Sequence, residues 1–285
     1  MSTNEENLSA LRDSIDKALT DERFDEAAMG LIDLAEQAPS DDERADAISK
    51  AASLFEDKLG DAEQAGVLRG VLAELLEESE QFAKAAEVLE LLVTQGVDVV
   101  DRLEHLAGLY AELENWDKLV ETYNRLIELA EGEDAKITIY RQRALIEKEA
   151  LGQHEEALKT QETILSLVPA DEEAFNAIIA GYEDASRWQD LQTLYEKRAA
   201  SDADAKTEWL KKAADAAEKG GGDSSEKNRL LAAILEQSPD DTQAFEALEN
   251  QARKNGDWSA LSDLLVKRAD AKEDVIAKLD LLVEA

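Results

Sequence analysis

The chain has 285 residues, 66 acids against 31 bases, a formal net charge of −35, three prolines and no cysteine. That charge excludes the basic stripe that direct nucleic-acid binding requires and disfavours anionic membrane surfaces. The lack of cysteine removes disulfides, thiol nucleophiles and thiolate metal sites, and a chain dominated by Ala, Leu, Glu, Asp and Lys predicts an all-α fold.

The opening "MSTNEENLSALRD" has neither the basic start nor the apolar core of a secretory signal, and no later stretch approaches the roughly 18 apolar residues of a membrane span. A cytoplasmic protein is expected. In chain order, Asp/Ser starts, Gly/Asn stops and apolar spacing predict helices over 7–20, 25–37, 41–59, 62–79, 82–94, 98–113, 116–130 and 134–151. The same signals predict helices over 154–167, 171–185, 188–199, 202–219, 224–237, 241–254, 258–268 and 272–283, about 16 in all. Links this short force antiparallel neighbours, and a series of such hairpins stacks into an α-solenoid.

Internal repetition supports that architecture. "PADEEAFNAI" from Pro169 and "PDDTQAFEAL" from Pro239 share their order at an offset of 70, which also relates Trp188 to Trp258 and Lys197–Ala199 to Lys267–Ala269. Trp116 precedes Trp188 by 72. Phe175, Ile178, Ile179 and Tyr182 lead into Trp188, Leu191 and Tyr195, as Leu103, Leu106, Ala107 and Tyr110 lead into Trp116, Leu119 and Tyr123. Phe245, Leu248 and Ala252 lead likewise into Trp258, Leu261 and Leu265. Each of Pro39, Pro169 and Pro239 falls 15 residues after a second-helix start, at Phe24, His154 and Ser224, where a residue that cannot continue a helix ends it.

This pattern resembles the tetratricopeptide repeat family, in a divergent, acidic, bacterial-type tandem array. The resemblance implies a right-handed superhelix of stacked hairpins. It covers roughly residues 24–285, and it departs from the family where Leu119, Leu191 and Leu261 replace a small residue. The expected organisation is an N-terminal helix or cap over 1–23, an acidic repeat lobe over 24–81 and an array over 82–285. Phase breaks near 60–82: Phe24 to Ala62 is 38 residues, but Ala62 to Phe82 is only 20, as though a helix were missing. The end, "KLDLLVEA", carries Leu281, Leu282 and Val283 without a polar capping helix, so continuation of the native chain or self-association through this end is expected.

Residues capable of chemistry do not converge. His105 and His154 are the only histidines, and Asp101 and His105, four apart on a helix, lack a second ligand pair and read as a surface contact. "GGGDSSEK" from Gly220 lacks the Lys-Ser/Thr of a phosphate loop, Asp202 and Asp204 read as helix capping, and adjacent acids such as Glu155 and Glu156 point about 100° apart. Neither catalysis, a cofactor nor a metal is expected.

The resemblance implies a concave groove lined by the first helix of each pair. On this chain those positions are Glu104, Gly108 and Glu112, then Glu173, Asn176, Ala180, Glu183 and Asp184, then Gln243, Glu246, Asn250, Arg253 and Lys254. Some members of the family clamp a partner's C-terminal carboxylate there. Asn250 fits one clamp position, but Glu246 stands where Lys is needed. The expected function is a noncatalytic scaffold or adaptor that presents an acidic groove to basic or amphipathic protein segments; a chaperone-like or regulatory accessory subunit of one enzyme or transport machine is the alternative. Because Trp188 recurs at the repeat period with Leu three and Tyr seven residues on, it is expected to be inward packing, and the unrepeated Trp209 is the tryptophan singled out for function.

Overall fold

A computed structural model describes residues 3–221, 224–271 and 283. Among these residues there are fifteen α-helices and no strand. The chain divides after Ala170 into two compact units. The first holds α1 (Thr3–Thr20), α2 (Phe24–Gln37), α3 (Asp41–Leu54), α4 (Ala62–Glu78), α5 (Phe82–Thr94), α6 (Val99–Glu112), α7 (Trp116–Leu129), α8 (Glu133–Leu145) and α9 (His154–Leu167). The second holds α10 (Glu172–Asp184), α11 (Trp188–Ser201), α12 (Lys206–Lys219), α13 (Ser224–Gln237), α14 (Thr242–Asn255) and α15 (Trp258–Ala271). The helix expected over 272–283 lies outside the described residues apart from Val283.

Two kinds of link alternate. Between the helices of a hairpin, one residue turns left-handed two positions before the second helix: Glu22 at φ 55°, Glu114 at 51°, Ser186 at 54° and Gly256 at 68°. The next residue's N–H then reaches back five residues, Arg23 to Ala18 O at 2.8 Å, Asn115 to Tyr110 O at 2.8 Å, Arg187 to Tyr182 O at 2.7 Å and Asp257 to Ala252 O at 3.0 Å. This closure satisfies carbonyls that the helix end would leave unpaired and reverses the chain in two or three residues. Between hairpins the helix stops in extended backbone, at Ala38 before Pro39 and at Val168 before Pro169. Before α3, α10 and α14 the new helix starts on an acid or serine cap. Ser40 accepts from Glu43 N, Asp171 from Ala174 N and Asp241 from Ala244 N.

The phase break has a structural explanation. A left-handed residue precedes α4, at Gly60 with φ 67°, and another precedes α5, at Glu80 with φ 59°. Helix α4 therefore closes one hairpin and opens the next, so no intervening helix is needed. It is buried on several sides through Ala65, Gly66, Leu68, Arg69, Gly70, Leu72, Ala73, Leu75 and Leu76. Around α5 the register is regular: α1–α4 start or end at 20, 24, 41 and 62, and α6–α9 at 112, 116, 133 and 154, each 92 residues on.

Two expected long helices, 41–59 and 134–151, end instead in single π-helical turns at Phe55–Leu59 and Ile146–Ala150. Each turn aims its second residue, a glutamate, inward. Glu147 is 2% exposed and accepts from Arg143 Nε and Thr160 Oγ1, both at 2.7 Å. Glu56 pairs with Arg69 of α4, which also donates to Gln95 Oε1 at 3.2 Å, while Gln95 Nε2 donates to Glu56 Oε1 at 2.6 Å. A widened turn is the cost of placing a carboxylate where periodicity predicts a solvent-facing one.

The expected start of a helix at 202 also moves. Asp202 accepts the Ala205 N–H and the Trp209 indole N–H, both at 3.1 Å, so 202–205 is a loop and α12 begins at Lys206 with no side-chain cap. Asp202 thus fastens a tryptophan to the loop rather than capping the helix. His105 does not meet Asp101: its Nε2 lies 2.8 Å from Glu77 Oε2 on α4.

The Arg69 guanidinium holds the Glu56 carboxyl below its ordinary value of 4.5 by hydrogen bonding, against burial, with Arg69's charge and Gln95 adding to the effect. A lowered folded pKa means that this stabilisation is complete above the unfolded value and is lost as pH falls through the folded one. Arg69→Ala should cost about 3 kcal/mol at pH 7, the low end for a broken buried pair because Glu56 is partly solvated. In urea unfolding, Arg69→Met should lose less stability than the parent between neutral pH and pH values below 4.5.

Candidate functional site

The expected groove residues are all exposed. Glu104 and Glu112 of α6 belong to the first unit; Glu173, Asn176, Glu183 and Asp184 of α10 and Gln243, Glu246, Asn250 and Arg253 of α14 belong to the second. Within the second unit, helix contacts run in chain order from α10 to α15, so α10 and α14 have α12 between them and their residues do not form one cluster. Arg253 is bound to Glu249 of its own helix at 2.7 Å.

In the first unit, α6 lies against α4. Arg102 of α6 covers Gly70, where an added methyl would stand 3.2 Å from its Nη2, and His105 meets Glu77. These helices run in the same direction because α5 reverses between them. One position round from that seam, α4 presents Glu63, Val67, Val71, Glu74 and Glu78, and α6 presents Asp101, Glu104, Gly108 and Glu112 on the same side. Val67 and Val71 are 57% and 47% exposed. Sequence reasoning missed this pair because α4 falls in the stretch of broken phase; its signal was Gly66 and Gly70, which mark the side that packs closely and so leave the valines facing out.

Concavities also lie elsewhere among the described residues. A groove of about 700 Å³ between α1, α2 and α3 has an apolar floor of Ile15, Leu19, Leu31, Leu34 and Leu54, and the Arg12–Glu43 ion pair spans its side at 3.0 Å. A pocket of about 400 Å³ in the second unit is walled by Leu235, Phe245, Leu248 and Leu264, with Lys267 and Arg268 at its rim. No group of three or more His, Cys, Asp or Glu residues capable of holding a metal occurs among the described residues. None of the helices described is long and apolar enough to cross a membrane.

Trp188 and Trp209 both pack within the second unit. Trp209 is a packing residue: its ring stacks on Tyr195 at 6.0 Å, meets Phe175 edge-on at 5.5 Å, and carries Lys212 Nζ at 4.1 Å from its centre. Its indole N–H draws the Asp202 carboxyl below the ordinary aspartate value, helped by the Ala205 N–H, and burial raises the Tyr195 hydroxyl. Trp188 is half-buried, with Lys219 over its ring at 5.1 Å and Gly220 against its Cβ, whereas Trp258 is 65% exposed. An aromatic cluster of three rings needs a third helix to supply one of them, so a residue outside the repeat pattern can be structural. Trp209 is itself half-buried, so Trp209→Ala should cost about 2–3 kcal/mol, below the range for a fully buried aromatic, and Trp258→Ala within about 0.5 kcal/mol, when unfolding is followed by far-ultraviolet circular dichroism.

No family model matches the chain, and no curated sequence proves similar to it. Solved structures with similar helical arrays include a tetratricopeptide repeat protein from Parabacteroides merdae, 11% identical over 98% of both chains with a TM-score of 0.31. Another is a TPR repeats protein from Bacteroides fragilis, 13% identical over 84% of this chain and 95% of that one, TM-score 0.38. A third is YrrB, described as a TPR protein with an unusual peptide-binding site, 14% identical over 83% and 97%, TM-score 0.31. On its own hairpins, closing turns and repeat period, the chain is a tandem α-helical repeat array consistent with a divergent tetratricopeptide repeat protein.

Proposed function

We propose that this protein is a noncatalytic, cytoplasmic interaction scaffold whose acidic helix faces receive basic or amphipathic protein segments. The observation that carries the reading is the α4–α6 face, where Val67 and Val71 stand exposed amid Glu63, Glu74, Glu78, Asp101 and Glu104. Apolar side chains would supply contact area, and the carboxylates would speed encounter and select charge. The charge is concentrated accordingly: residues 1–170 contain 40 acids and 16 bases, residues 171–285 contain 26 and 15. The face of α10 with Glu173, Asn176, Glu183 and Asp184, and that of α14 with Gln243, Glu246, Asn250 and Arg253, would extend the choice of partners.

The test is fluorescence anisotropy with a labelled amphipathic peptide of alternating Lys and Leu pairs. Affinity for the full chain should fall about ten-fold or more between ~0.05 M and ~0.5 M salt, which shortens the screening length. It should fall further in the Val67→Ser, Val71→Ser double variant, whose melting temperature should stay close to that of the parent because both residues are exposed. Equal binding of an acidic counterpart at this face, or no effect of the double variant, would contradict the reading.

A further inference from the structure

The second unit contains one repeat that is closed by a carboxylate and another that is not. In the first, Arg198 of α11 pairs with Glu172, the leading residue of α10, and its guanidinium lies 4.9 Å over the Phe175 ring. Seventy residues on, Arg268 of α15 lies 3.8 Å over the Phe245 ring in the same way. The leading residue of α14 is Thr242, whose hydroxyl reaches only the Asp240 carbonyl at 3.5 Å. Asp171 and Asp241 both cap their helices, accepting at 2.8 and 2.9 Å, while Arg198 lies in addition 5.8 Å from the centre of the Trp209 ring. Arg268 makes no ion pair with a carboxylate among the described residues, in a chain with more than twice as many acids as bases.

Beside this arginine lies the pocket of about 400 Å³, with Lys267 at the same rim and Leu235, Leu248, Leu264 and Pro239 forming its apolar wall. Glu236 also borders it without pairing to either cation. We infer that Arg268 and this pocket form a second docking site, opposite in preference to the acidic faces, for an acidic protein segment that carries a large apolar side chain next to a carboxylate. The partner's carboxylate takes the place that Glu172 fills in the preceding repeat, forming a charge-assisted pair with a guanidinium already held flat by Phe245. Its apolar neighbour enters between α13, α14 and α15, where burial supplies affinity that an exposed ion pair does not. The site is independent of the α4–α6 face, which belongs to the other unit.

The test uses the full chain and a labelled, end-capped peptide with a Phe-Leu pair flanked by two Glu on each side, read by fluorescence anisotropy. The parent should bind it, and Arg268→Gln should weaken binding about ten-fold or more, as expected for a lost charge-assisted contact. Thr242→Glu should weaken it comparably by restoring the internal carboxylate. Its melting temperature should not fall, since an acid at a helix N-terminus is favourable. Replacing Phe-Leu by Ser-Ser in the peptide should also abolish binding. Unchanged affinity in a folded Thr242→Glu variant would overturn the proposal, as would equal binding of the Ser-Ser peptide. So would sedimentation showing that the parent alone self-associates and that Arg268→Gln dissociates it, because the occupant would then be a second copy.

Discussion

The hairpins depend on a single backbone constraint: one residue held at positive φ, two positions before the second helix. With Glu22, Glu80, Glu114 and Ser186 in that conformation, each turn closes through a bond reaching back five residues, and the following helix returns alongside the first. A residue with a Cβ pays for this conformation, so the packing it enables must outweigh the strain. The buried residues five positions after each turn, Ala27, Ala85, Leu119 and Leu191, form that compensation at the same position in four hairpins.

Around these turns the repeats vary in how they treat charge. Where a π-helical turn swings Glu56 or Glu147 inward, an arginine and a polar side chain meet it, so a carboxylate becomes part of the packing between hairpins. Where Arg198 lies on Phe175, Glu172 completes it, and where Arg268 lies on Phe245, nothing in the described chain does. Much of the excess acidity remains outside these internal pairs, on helix faces such as those of α4 and α6. Repetition thus sets the frame, and departures from it mark the surfaces proposed for binding.

Much of the fold was legible because the closing turns and prolines punctuate the sequence. Helices α5, α9 and α13 follow the bounds that apolar spacing predicts. The π-helical turns were not legible, since a helix pattern continues through "FEDKL" and "IEKEA" without showing that the backbone widens to bury a glutamate. The double use of α4 was hidden because a short spacing suggests a lost helix when it reflects a shared one. Trp209 misled for a similar reason: absence from the repeat pattern signals a special contact, and here that contact is with Phe175, Tyr195 and Asp202 of the same unit. At the proposed docking pocket the mismatch between Glu172 and Thr242 stood in the sequence, but its meaning required the guanidinium to be seen lying on the ring.

The most direct measurement is the unfolding free energy of Glu114→Gly and Ser186→Gly, since glycine relieves the Cβ penalty of a left-handed residue while adding entropy to the unfolded chain. If positive φ at these two positions closes the hairpins, each substitution should raise stability by about 0.5–1 kcal/mol in urea unfolding, with the helix content unchanged. A loss of similar size in both variants, the ordinary effect of glycine where positive φ is not required, would contradict the account.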